Sequence, residues 1–243
     1  MVFDWRGLLR FSRRVLLETQ NTNRRLTPRR VAWTLFSYAF YPPFELATWG
    51  GLGLDELLYP DYRQQEVWEP VFILGNPRSG TTFLHRLMAR DKRTFACMKT
   101  WEILFAPSIV ARRVIKGLAA LDDRLGGPVQ KTLAELEARW QDHNVMHRHA
   151  MRTPEEDEVL LLHSFSTVLI WTFAAILDEA RRYTFYDQQI PRAERMRQTA
   201  FYRRCLQRYL YSDGRHSEVD RRHYLAKNPA FTFRIDPLLE QFP

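Results

Sequence analysis

Residues 4–19 place Trp5, Leu8, Leu9, Phe11, Val15 and Leu16 largely on one helical side and arginines on the other. That pattern predicts an amphipathic basic helix. Val31 to Phe44 is a short apolar and aromatic run that ends at Pro42-Pro43, too short to span a bilayer. Val159 to Leu177 carries no Asp, Glu, Lys or Arg over 19 residues, which predicts a buried core helix, with a membrane span as the alternative at the lower edge of the required length. Thr153-Pro154-Glu155-Glu156 ahead of it supplies an N-cap, a first-turn proline and a capping-box glutamate. Pro128 to about His147 and Arg192 to Tyr211 also read as helices, the arginines 195, 197, 203, 204 and 208 of the second forming a solvated face. Clear strand signals are Val71–Leu74 and His223–Ala226, with further short strands expected near Phe95–Cys97 or Thr184–Tyr186.

The densest chemistry lies in Pro70-Val71-Phe72-Ile73-Leu74-Gly75-Asn76-Pro77-Arg78-Ser79-Gly80-Thr81-Thr82, followed by Phe83, Leu84, Leu87 and Met88 at helical spacing. An apolar strand enters a tight loop bounded by Gly75 and Gly80, and the loop opens a helix. Backbone N–H groups converge at such a place and the helix dipole adds positive potential, so the segment is an anion cradle. It differs from the nucleotide-triphosphate loop G-x-x-x-x-G-K-[ST] at one place: Thr81 stands where that loop needs its lysine. The lysine would reach the β- and γ-phosphates, and the next hydroxyl would bind Mg²⁺. Arg78 is the only cation within the loop to replace it, which suits a terminal anion held without an obligatory metal.

Composition narrows the setting. With 45% apolar residues and 33 aromatic side chains in 243, the chain is globular. Its +8 charge rests on 31 arginines and five lysines, and the guanidinium fork fits phosphate and sulfate oxygens two at a time. Cys97 and Cys205 are far apart with no second thiol nearby, so neither a disulfide framework nor a zinc motif is expected, and a reducing compartment fits better. Arg6, Arg10, Arg13 and Arg14 interrupt any apolar core of signal-peptide length, pointing to a cytoplasmic protein. Residues 4–19 are either a surface helix or a peripheral contact with anionic lipid.

Pro77-Arg78-Ser79-Gly80-Thr81-Thr82, with the strand before and the helix after, resembles the 5′-phosphosulfate loop of sulfotransferases, Pro-[Lys/Arg]-Ser-Gly-Thr-Thr. The resemblance implies 3′-phosphoadenylyl sulfate as donor, bound at its 5′-phosphosulfate by Ser79, Gly80, Thr81 and Thr82, with Arg78 neutralising the leaving phosphate. Tyr224-Leu225-Ala226-Lys227-Asn228-Pro229 resembles the Leu-x-Lys-x-Pro strand-to-helix passage of the bacterial-type enzymes, with Asn228 placed to cap the following helix. Lys227 then sits at a strand C-terminus, where parallel sheets bind ligands. In the family a further strand leads to an Arg-x-Pro segment and a serine for the 3′-phosphate. This sequence ends at Pro243 ahead of that strand, so the expectation is an incomplete domain spanning 70–243 behind an N-terminal helical segment, 1–69, either an inactive fragment or a chain that has lost the second phosphate clamp. The implied fold is α/β, a P-loop-like three-layer nucleus with a parallel sheet, rich in helices.

Transfer to a hydroxyl needs in-line geometry, neutralisation of the leaving phosphate and a base. Glu102 is the first candidate base, because related enzymes with a carboxylate base carry a glutamate in a comparable stretch; His149 is the second. His143, His147 and His149 lack the carboxylate or cysteine that would complete a zinc spacing, so no metal site is assigned. His85 is expected to pack. Aromatic residues around 31–49 and 165–173 suggest an apolar pocket and a lipid or other hydrophobic alcohol as acceptor, with no nucleic-acid partner expected. Two competing classes stay open: a small-molecule kinase with a degenerate phosphate loop, and a non-catalytic basic protein that binds membranes or nucleic acid.

Overall fold

A computed structural model describes residues 3–18, 27–143, 151–214 and 221–243. The first amphipathic pattern forms α1, Trp5–Leu16, whose N-terminus is capped by Asp4 accepting from the Gly7 amide at 2.8 Å. The run expected to end at Pro42-Pro43 instead continues through both prolines as α2, Pro28–Leu58. Each proline removes a helical N–H, but contacts on either side hold the axis: the Tyr41 hydroxyl donates to the Leu162 carbonyl at 2.9 Å and the Trp49 indole to that of His163 at 2.9 Å. Further on, Asp55 of α2 is fully buried and accepts from the Ile109 and Val110 amides at 2.9 and 3.0 Å. It thereby neutralises the positive end of α5, Ile109–Arg124.

The sheet is small and parallel. β1, Val71–Ile73, pairs with β3, His223–Lys227, and β3 with β2, Phe95–Ala96, in the order β1-β3-β2. Val71 lies opposite Leu225 and Ile73 opposite Lys227, while Phe95 lies opposite His223. α3, Thr81–Met88, follows β1, and α4, Thr100–Phe105, follows β2. α6 spans Pro128–His143 and α10 Arg192–Ser212. Phe201, Tyr202, Cys205 and Leu206 of α10 pack with Tyr224 and Ala226 of β3 and with Leu160 and Leu161 to make the main core.

Several expectations are corrected. Val159 to Leu177 is not one helix: a 3-10 helix, Asp157–Ser164, gives way to α7, Val168–Phe173, and then α8, Leu177–Thr184. Phe165 and Ala175, both at φ 56°, break it, and Pro154 bridges to Lys99 instead of starting a helix. Phe165 and Trp171 are buried against α1, where Phe11 meets both rings edge-on, so they do not line an open pocket. Thr184–Tyr186 is not a strand but the join between α8 and α9, Tyr186–Gln189; Tyr186 is buried with the Arg234 guanidinium 4.4 Å above its ring. The arginines of α10 are not all solvated either: Arg208 is buried, 3.0 Å from Asp55 and 2.7 Å from Glu56.

Both cysteines are free. Burial raises the Cys97 thiol to about 11 and the Cys205 thiol to about 12, so both stay protonated at neutral pH. Among the described residues no helix is long and apolar enough to cross a membrane.

Candidate active site

β1 and β3 end together at one edge of the sheet, and the Asn228 amide extends the ladder by donating to the Ile73 carbonyl at 3.2 Å. The loop after β1 turns sharply: the Ser79 amide and hydroxyl both donate to the Asn76 carbonyl, at 3.3 and 2.6 Å. Arg78 at φ 68° and Gly80 at φ 85° are left-handed on either side of Ser79. Alternation of this kind turns successive N–H groups to one side. For arginine the conformation is strained, and such strain persists only where the surroundings over-determine it. Gly80 is the N-cap of α3 with no side-chain cap of its own, and the first-turn amides of a helix have no helical carbonyl to bond. Arg78, Ser79, Gly80 and Thr82 are exposed and Thr81 half-buried, so the cradle opens to solvent.

The loop is fastened from β3's side. Gly75 donates its amide to Thr232 Oγ1 at 3.1 Å, and that hydroxyl lies 3.4 Å from the Gly75 carbonyl. Thr232 belongs to the 3-10 helix Pro229–Phe233. A Cβ on Gly75 would meet Ser79 Oγ and Thr81 Cγ2 at 3.2 Å, so the close approach of strand end and loop needs glycine.

Lys227 is 3% exposed and donates to Glu156 Oε1; the Glu156 side chain is 34% exposed. His85 of α3 is buried, hydrogen-bonded to the backbone of Leu225, and its Nε2 has no partner. Desolvation first, and the Lys227 charge second, lower its pKa to about 4, so it is a neutral packing residue at pH 7. Asn228 does not cap the next helix as expected. Its Oδ1 accepts from the Glu158 amide at 2.9 Å and its Nδ2 donates to Asp157 Oδ1. Asp157 in turn accepts from the Tyr202 and Tyr224 hydroxyls at 2.6 and 2.7 Å. This clamp positions Glu156 over the end of β3.

Glu102 lies elsewhere in the chemistry. It is buried at the start of α4, where Oε2 accepts from the Lys99 amide at 2.8 Å and Oε1 lies 3.5 Å from Arg112. The structure thus brings Arg78, Ser79, Gly80, Thr81, Thr82 and Lys227 to one sheet edge and gives Glu102 a capping box. His147 and His149 lie outside the described residues, and only the backbone of His143 falls within them. The sequence carries no signal for Thr232, and Glu156 reads there as a capping-box glutamate. Four consecutive acidic residues, 155–158, were the available signal. Among the described residues no cluster of three His, Cys, Asp or Glu is arranged to hold a metal.

A parallel sheet, a glycine-bounded loop at its C-terminal edge and a helix opening from that loop define a P-loop-like α/β fold. The model described as "Sulfotransferase family" matches residues 70–243, and the chain belongs to that family. Two solved structures share the fold. Sulfotransferase STF1 from Mycobacterium tuberculosis H37Rv is 21% identical with a TM-score of 0.53, the match covering 79% of this chain and 47% of that one. Sulfotransferase STF9 from Mycobacterium avium is 18% identical with a TM-score of 0.55, covering 79% and 44%. The chain therefore spans under half the length of these two proteins. Comparison with curated proteins gave no match.

Proposed function

We propose that this chain binds 3′-phosphoadenylyl sulfate at the 75–82 loop and supports transfer of its sulfuryl group to the hydroxyl of a lipid or other hydrophobic alcohol. The observation that carries the reading is the pair of left-handed residues, Arg78 and Gly80, ahead of the uncapped N-terminus of α3. Amides of Gly80, Thr81 and Thr82 would receive the 5′-phosphosulfate oxygens, joined by Ser79 once its bonds to Asn76 give way, with the exposed Arg78 guanidinium supplying the charge that the absent loop lysine does not. The acceptor oxygen forms a bond to sulfur while the bond from sulfur to the 5′-phosphate oxygen breaks; adenosine 3′,5′-bisphosphate leaves, and the hydroxyl proton goes to a carboxylate.

For that carboxylate we favour Glu156 over Glu102. Glu156 is half-exposed and held by Lys227 at the same sheet edge as the loop. Glu102 has one oxygen on the Lys99 amide and the other facing Arg112, which leaves little to receive a proton. His149 stays a second candidate. Lys227 would both orient Glu156 and add positive charge beside the transferring group.

Calorimetry with adenosine 3′,5′-bisphosphate tests the reading. Arg78→Ala is expected to weaken binding by about tenfold or more, the range of a charge-assisted hydrogen bond. Unchanged affinity, or binding that requires Mg²⁺, overturns it. Turnover confined to small, highly polar sugars would refute the hydrophobic acceptor.

A further inference from the structure

The first half of α2 is apolar on nearly every side. No residue from Val31 to Phe44 is charged, yet only a narrow strip faces the protein, held by Tyr38 donating to Ser12 of α1 at 2.6 Å and Tyr41 to the Leu162 carbonyl. Val31, Trp33, Leu35, Phe36 and Phe40 are 40–66% exposed. Trp33, Phe36, Phe40 and Phe44 form a ladder of rings with successive centroids 5.6–5.9 Å apart. A helix apolar all round is normally enclosed by protein or lipid.

α1, which meets α2 at the Tyr38–Ser12 bond, has three faces. Gly7 and Val15 are buried, whereas Trp5, Leu9 and Leu16 are 48–70% exposed. At 100° per residue these last three fall within an arc of about 40°, flanked by exposed Arg6 and Arg13. Each helix thus presents an apolar and aromatic surface, together larger than the scattered hydrophobic residues of an ordinary exterior.

Charge decides what covers it. The first 44 residues hold eight arginines against Asp4 and Glu18, so they carry +6 of the chain's +8. α2 has no acidic residue before Glu45, and Glu45 is buried on His163 at 3.0 Å. A two-fold pairing of copies through this face would set +6 against +6, because an isologous interface apposes the same patch. A surface of anionic headgroups over an apolar interior complements both properties at once. The fourteen residues span about 21 Å, short of the roughly 30 Å hydrocarbon core, so the helix lies on a bilayer and does not cross it.

We propose that α1 and the first half of α2 dock this protein on an anionic lipid bilayer. Trp33, Phe36 and Phe40 enter the boundary between headgroups and acyl chains, and Arg6, Arg29 and Arg30 meet lipid phosphates. None of these residues belongs to the nucleotide loop.

Flotation of the 243-residue chain with vesicles of phosphatidylcholine alone, and of phosphatidylcholine mixed with phosphatidylglycerol, tests the proposal. The chain is expected to float with the mixed vesicles and to be released by salt. Trp33→Ser with Phe36→Ser and Phe40→Ser should weaken the affinity at least about tenfold. Arg29→Glu with Arg30→Glu should weaken it about fivefold or more per arginine. Four of the five positions are exposed and Arg30 is half-buried, so circular dichroism and adenosine 3′,5′-bisphosphate binding should not change. No binding of the unaltered chain to anionic vesicles, or equal binding by the triple variant, overturns the assignment. So does light scattering that shows a dimer dissociated by the triple variant, since the occupant is then a second copy.

Discussion

Lys227, the last residue of β3, is buried and donates its ammonium to Glu156, a residue 71 positions earlier that the Asp157–Asn228 contact holds over the sheet edge. Lys227 stands across the register from Ile73, the last residue of β1 before the chain enters the loop. On the proposed function, a lysine so placed would serve two partners, the carboxylate it holds and the anion that the loop would receive.

Glu156→Gln should therefore lower sulfuryl transfer by about 100-fold or more, the scale of general-base loss, with adenosine 3′,5′-bisphosphate affinity retained. Glu102→Gln should retain turnover and lose about 1 kcal/mol of stability, the worth of a capping interaction. Steady-state kinetics paired with urea unfolding separates the two, and the opposite pattern would give the base role to Glu102.

Gly75→Ala should disturb the cradle without unfolding the domain. The added methyl presses on Ser79 and Thr81 at 3.2 Å, and the strand end is already fastened to Thr232. Bisphosphate binding is expected to fall about tenfold at a stability cost of about 1 kcal/mol. Thr232→Val, which removes the hydroxyl on the Gly75 amide, should act in the same direction. Calorimetry showing native affinity in both variants would contradict this account of the loop.

Asp157→Ala should destabilise the protein by about 3–5 kcal/mol, because it strands the buried hydroxyls of Tyr202 and Tyr224 and the Asn228 amide together. Urea unfolding gives the figure directly. A loss below about 1 kcal/mol would show that the clamp is not a structural requirement.

His85 makes the fold sensitive to acid. The unfolded chain takes up a proton near 6.5 and the folded chain near 4. The stability from keeping His85 neutral is thus full above pH 6.5 and lost as pH falls toward 4, by at most about 3 kcal/mol. Glu158, raised to about 7 by burial, acts the other way: its contribution is largest below 4.5 and is lost as pH rises through 7. Comparison with His85→Gln isolates the histidine, and the unaltered chain should lose stability relative to that variant between pH 6.5 and 4. An NMR titration midpoint near 6.5 for His85 would refute the burial argument.

The loop was legible because its evidence is local: an apolar run, two glycines at a fixed distance and a helical pattern directly after them. β1, β3 and the short β2 fell where the sequence placed them for the same reason. The break in 159–177 was not legible, since the uncharged run shows no turn residue except those that tertiary packing forces, Phe165 and Ala175. Pro42-Pro43 misled in the opposite sense. A proline pair normally ends a helix, and contacts from Tyr41 and Trp49 to residues more than a hundred positions away carry α2 past it.

By itself the sequence determined the strand, loop and helix at 70–88, the absence of a loop lysine and the family resemblance, all properties of contiguous residues. Only the tertiary structure decided that Thr232 fastens Gly75 across 157 positions, that Glu156 meets Lys227 and that Glu102 is a capping residue. It also decided that the aromatic face of α2 is left uncovered. The reason is physical: periodicity reports which side of an element is apolar, whereas the partner of a carboxylate or an aromatic face is set by which distant segment the packed core brings beside it.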